Sequence, residues 1–264
     1  MHEEARAHAR RYGVRPTNQL NREVIFAFSD GNWDAAIRIA EDEQDDTIWS
    51  AAREMTAALI IAAREGPEHA LQRMDGPWRR LVAARDPQWA IVATAGAAIP
   101  YLGGDPRRAL ELCEPLVPLF DLPVLPFPRV CEPAVVIALL AAHGREDPAA
   151  LERWAALAAG RRSDDKVVMI PDVADALRRA RDGSSQNAAA TMAAALEQFG
   201  GDGMDVGLAL LREFAAKLFA TAGDPARAAT MIAPVVHWLR RGDGQWYLRR
   251  IETWAAERGV TLPD

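Results

Sequence analysis

The sequence predicts an all-α protein, a right-handed superhelical stack of antiparallel helix pairs running through the whole chain. Three observations predict it. Alanine fills about a fifth of the 264 positions (52 residues) beside abundant Leu, Arg and Glu, the residues that lose least side-chain freedom in a helix. Alternating strand patterns of six or more residues are absent, and the nearest candidate, Lys166 to Ile170, stops at Pro171. The third is punctuation: Asp-Pro occurs at 86–87, 105–106, 147–148 and 224–225. Its carboxylate caps a first helical turn, where proline has no N–H to leave unpaired. Gly104 and Gly223 precede two of these pairs, where each is expected to end the previous helix in a left-handed conformation. Gly-Asp-Pro is then a stop and a start in three residues, and so short a corner folds consecutive helices back on each other.

Taken in order, the elements are helices near 2–12, 18–29, 32–42, 46–65, 67–75, 78–84, 87–102 and 106–119. After a proline-rich break follow helices near 129–143, 148–160, 172–182, 185–199, 204–222, 225–241 and 244–258. Pro77 divides the fifth and sixth, because proline removes a helix hydrogen bond. The acidic run at 41–46 reads as a solvated loop that caps the next helix rather than a magnesium site, which would need carboxylates converging from several faces. Pro123, Pro126 and Pro128 forbid helix between 121 and 128, so an apolar interruption spans about 115–133. The last helix puts Tyr247, Ile251, Trp254 and Ala255 on one side and reads as a C-terminal cap over about 244–258. Residues 1–264 are taken as one helical-repeat domain.

The residues after the corners recur. Gly31-Asn32-Trp33-Asp34-Ala35-Ala36-Ile37 aligns with Gly104 to Leu110 and with Gly223 to Ala229, and more loosely with Gly66 to Leu71 and Asp147 to Leu151. Corner starts at 32, 67, 105, 147 and 224 are separated by 35, 38, 42 and 77 residues, the last about twice the others. A period in the high thirties built on a helix pair is the mark of a solenoid. Gly-Asp/Asn-aromatic/Pro-x-x-Ala-Leu/Ile opening a second helix resembles the tetratricopeptide repeat. Phe219 holds that family's aromatic position four residues before Gly223, whereas Phe28 and Tyr101 stand one step late. The array is also similar to helical-repeat regions of bacterial transcription regulators. The resemblance implies a TPR-like α-solenoid with a concave binding face.

The chemistry sought is mostly missing. No glycine is followed by lysine, which excludes a Gly-Lys-Ser/Thr phosphate loop, and no Gly-x-Ser-x-Gly elbow exists. His2-Glu3 lacks a second histidine at position 6, and the five histidines are scattered without Cys-x-x-Cys, so neither metal nor cofactor is expected. The net charge is −6, and many of the arginine pairs at 79–80, 107–108, 161–162, 178–179, 240–241 and 249–250 read as helix-end cations among acids, with Arg107-Arg108, which opens a helix, the clearest exception. Direct DNA binding by this chain alone is therefore not expected. The longest uncharged apolar run, Ala134 to Ala142, is too short for a bilayer. The acidic start has no signal core, and two cysteines fit reduced thiols, so a cytoplasmic protein is expected. Trp33, Trp89, Trp154, Trp238 and Trp254 are expected to fill space between small alanines.

The function expected is a non-enzymatic binding module for a protein or peptide segment, or for a small regulatory ligand, on the concave face. The alternatives are the ligand-sensing region of a transcription regulator and an all-α enzyme with an unrecognised site. Arg53, Arg212 and Lys217, polar residues on first helices of pairs, are the recognition candidates, with Phe120, Leu122, Leu125, Phe127 and Arg129 of the apolar interruption. An enclosed cavity would speak for a small ligand and an open groove for a peptide.

Overall fold

The computed structural model describes residues 17–42, 47–121, 132–159, 170–198 and 203–263. Among them are thirteen α-helices and no strand. These are α1 (Thr17–Ser29), α2 (Trp33–Asp42), α3 (Ile48–Glu65), α4 (Pro67–Ala83), α5 (Pro87–Ala98), α6 (Pro106–Cys113) and α7 (Glu132–Gly144). The rest are α8 (Pro148–Ala159), α9 (Ile170–Arg181), α10 (Ser185–Gln198), α11 (Val206–Thr221), α12 (Pro225–Arg241) and α13 (Gln245–Arg258). The helix expected near 2–12 and residues 43–46 of the acidic run at 41–46 lie outside the described residues. Glu41 and Asp42 end α2, and α3 is capped by Thr47, whose hydroxyl accepts from the Ser50 amide, rather than by the acidic run.

The corners are built as their residue types require. Asp86, Asp105, Asp147 and Asp224 each accept a hydrogen bond from a first-turn amide, at 2.9, 3.0, 2.9 and 3.0 Å, from Gln88, Arg108, Ala150 and Arg227. Gly223 adopts φ +81°, so the preceding helix ends in the left-handed conformation that glycine supplies without strain. Gly104 does not. There a 3₁₀ turn, Ile99–Tyr101, tightens the end of α5, and the Gly104 amide donates to the Tyr101 carbonyl.

Three boundaries differ from the expectation, each through proline. Pro77 does not split α4, which runs unbroken through it with the ring buried in the core. Tertiary packing outweighs the lost hydrogen bond there. The α-helix expected over 106–119 stops at Cys113, and Glu114–Asp121 continues as 3₁₀ helix containing Pro115 and Pro118. The helix expected over 87–102 likewise gives way to the 3₁₀ turn after Ala98.

Among the described helices each packs on the next, and the odd-numbered helices also meet one another: α1 with α3, α3 with α5, α5 with α7, α7 with α9. The odd-numbered helices from α1 to α9 thus form a row, the inner row. The row does not continue as an open array, because α11 returns to α7 and α13 returns to α3. The last helix, expected as the C-terminal cap, packs back on α3, while Arg249, Glu252, Thr253 and Glu257 on its other side are exposed. Its apolar side is placed as the sequence requires, with Tyr247, Ile251 and Ala255 buried and Trp254 half-buried.

Bonds far apart in sequence hold this closure. The indoles of Trp33 (3.0 Å) and Trp238 (2.9 Å) both donate to the Phe28 carbonyl, and the three rings pack with centroids 4.9–5.8 Å apart. Arg64 donates through Nε and Nη2 to the Gly242 carbonyl (2.9 and 2.8 Å) and pairs with Asp34. Gly242 has to be glycine, since a Cβ there would lie 2.2 Å from the Trp33 ring. Arg241 donates to the Asp30 carbonyl at 2.8 Å.

Candidate functional site

Closing the inner row leaves a partly enclosed cavity of about 260 Å³. Its walls are the inward faces of α3, α7, α11 and α13, with Phe28 of α1, the 3₁₀ extension of α5 and Trp238 of α12. The lining is mainly apolar, and it stays hollow where small residues face inward, at Ala62, Ala63, Gly103 and Gly144. Leu210 and Phe214 project from α11 as expected of an apolar stripe at helical spacing.

One side of the cavity is polar. Glu213 on α11 is almost completely buried (6% exposed), and its carboxylate accepts three hydrogen bonds. Lys217, one turn along the same helix, donates from Nζ, Tyr247 of α13 donates its hydroxyl, and Arg250 donates from Nη2 at 3.3 Å. Arg250 also lies over the rings of Trp246 (5.3 Å) and Tyr247 (5.2 Å). This network joins α11 to α13 and so completes the circle of helices.

The electrostatics follow from burial and pairing. Burial alone would raise the Glu213 pKa, but the charges of Lys217 and Arg250 and the hydrogen bonds from Lys217 and Tyr247 outweigh it, holding the carboxyl below its ordinary value. The Tyr247 hydroxyl is pushed well up by burial, by the Glu213 charge and by its bond to that carboxylate. His143 of α7 stands edge-on to Phe214 at 5.2 Å, with its pKa lowered by burial and by the Arg181 charge. Among the described residues no three of His, Cys, Asp or Glu gather as metal ligands would. Among them, too, no helix is long and apolar enough to cross a membrane.

The chain matches no protein-family model, no curated protein and no solved structure.

Of the described residues expected to form a site, only Lys217 borders the cavity. Arg53 is wholly buried within α3 and Arg212 is half-buried on α11, and neither reaches the lining. Burial lowers the Arg212 pKa, and its Nε has no hydrogen-bond partner among the described residues. Phe120 is 1% exposed and packs edge-on against Trp154 at 5.8 Å, away from the cavity, so it is core. Leu122, Leu125, Phe127 and Arg129 lie outside the described residues. Sequence reasoning missed Glu213, Tyr247 and Arg250. The signal was present for the first: a glutamate among the apolar residues of α11 with a lysine four residues on.

Proposed function

We propose that the chain is a non-enzymatic helical-repeat binding module that holds a small regulatory ligand in this cavity. Its hairpins follow the right-handed tetratricopeptide-like pattern, with the last ones turned back on the first. The single observation that carries the reading is the cavity itself, apolar, concave and walled by helices distant in sequence, with its polar groups gathered on one side. Ordinary ligand pockets have this character and span roughly 300–1,000 Å³, so the ligand is small. A peptide partner would need an open groove, and closure of α13 onto α3 favours the small molecule instead. An enzyme is disfavoured because the carboxylate of Glu213 is already engaged by three donors and held ionised, the reverse of a group poised to take a proton. A ligand-sensing region of a transcription regulator is the setting in which such a module would act.

The test is a neutral fluorescent probe, N-phenyl-1-naphthylamine. Saturable binding at one site per chain is expected, and it should disappear in Leu210→Trp, whose indole fills the cavity, while the far-ultraviolet circular dichroism stays helical. Non-saturating binding, or binding untouched by Leu210→Trp, would overturn the reading.

A further inference from the structure

The cavity-facing charges are unequal in number and in availability. Lys217 and Arg250 oppose Glu213, and His143 is kept neutral near pH 7, so the polar side carries one positive charge in excess. The carboxylate is also the one group with little left to offer. Its Oε1 accepts from both Lys217 and Arg250 and its Oε2 accepts from Tyr247, so three donors cover it. The cations are not used up. An ammonium has three N–H donors and a guanidinium five, and one of each goes to Glu213. Both side chains keep access to the cavity opening, at 41% and 37% exposure.

Arg250 is moreover held in place. Trp246 and Tyr247 flank its guanidinium, and Gly103 makes room for it, since a Cβ there would stand 2.9 Å from Nη1. A guanidinium fixed on aromatic faces, beside a lysine one carboxylate away, presents convergent donors at the edge of an apolar chamber. From this geometry we infer that the cavity takes an anionic amphiphile, a single carboxylate or similar oxyanion on a small apolar body. Lys217 and Arg250 bind the head, and Glu213 is a positioning residue that holds the two cations together. A cationic ligand fits poorly, because the only carboxylate facing the cavity among the described residues is already engaged by three donors. This inference rests on the reading of the cavity as a ligand site and adds the chemical class of the ligand.

Isothermal titration with octanoate, octan-1-ol and octylamine tests it on one apolar body with three heads. Octanoate is expected to bind the intact chain tenfold or more tighter than octan-1-ol, and octylamine weakest. Lys217→Met and Arg250→Met should each erase most of that preference while leaving octan-1-ol affinity unchanged. Gly103→Ala, which pushes the guanidinium of Arg250 out of its seat and touches nothing else in the cavity, should weaken octanoate alone. The comparison of the three heads on the unaltered chain decides the matter even if a variant fails to fold. Octan-1-ol binding as well as octanoate, or octylamine binding best, would overturn the anionic assignment and leave the cavity a ligand site. If neither the octyl compounds nor the neutral naphthylamine binds, the cavity reading falls and the assignment with it.

Discussion

Trp238→Ala tests the closure of the helix circle most directly. Trp238 is 6% exposed, lies edge-on to Trp33 and Phe28 with centroids 4.9 and 5.2 Å away, and donates to the Phe28 carbonyl. Truncating a buried tryptophan costs ~3–5 kcal/mol through lost transfer energy and the cavity left behind. The carbonyl keeps its second donor, Trp33, so no buried acceptor is orphaned and the loss should sit near ~4 kcal/mol. At a urea dependence of about 3 kcal/mol per molar, the unfolding midpoint falls by about 1.3 M. Hydrogen exchange supplies the decisive readout. Because Trp238 joins segments 210 residues apart, amides of α1 and of α12 should lose protection together. A loss below ~1 kcal/mol, or deprotection confined to α12, would refute a closed circle of helices.

Phe120→Ala should destabilise by ~3–5 kcal/mol without altering naphthylamine affinity per folded molecule, because the ring is core beside Trp154 and does not line the cavity. Asp224→Ala should cost ~1 kcal/mol in urea unfolding, the loss of one helix cap; an unchanged midpoint would mean that its 3.0 Å bond to the Arg227 amide contributes nothing. Stability should decline as pH falls through about 6.5, since the unfolded chain takes up a proton on His143 that the fold disfavours, and His143→Asn should flatten that slope. Glu213 acts in the same sense at lower pH: its folded pKa lies below its unfolded one, so its contribution is full at neutrality and is lost on acidification below the ordinary carboxyl value of 4.5. Glu213→Gln should remove that part of the acid sensitivity.

What could be read from the sequence was local. Each Asp-Pro corner carries its stop, cap and start within a few residues, and all four carboxylates cap as their type requires. Where reading failed, a tertiary term overruled a local one. Pro77 breaks a helix only if nothing rewards continuing it, and here the ring is buried in the core. The site was hidden for a stronger reason. Lys217 was visible as a polar residue on a first helix, but its meaning depends on Tyr247 and Arg250, more than thirty residues from Glu213. Tyr247 looks like any core aromatic until Glu213 is placed beside its hydroxyl. Arg53 and Arg212 illustrate the converse error, because a polar residue on an inner-row helix need not face the space that the row encloses.

The closure also explains why a chain so rich in alanine contains a cavity. Alanine lets helices approach closely, and most of the inward alanines of α5 to α8 are sealed in one continuous core. Around the closed circle the same small side chains cannot reach across. Ala62 and Ala63 face the space from α3 and Gly144 from α7, and the larger Phe214, Trp238 and Trp246 fill only part of it. Two or three larger side chains would fill that space without disturbing any corner or cap. Instead the walls are trimmed with alanine and glycine, and a buried glutamate gathers a lysine, an arginine and a tyrosine at one edge. A partly enclosed apolar hollow with spare donors at its polar edge fits the proposed ligand site, and a ligand bound there would add stability by mass action. Occupancy should therefore tighten the α11–α13 seam first, where the head-binding cations and the circle's last joint are the same residues.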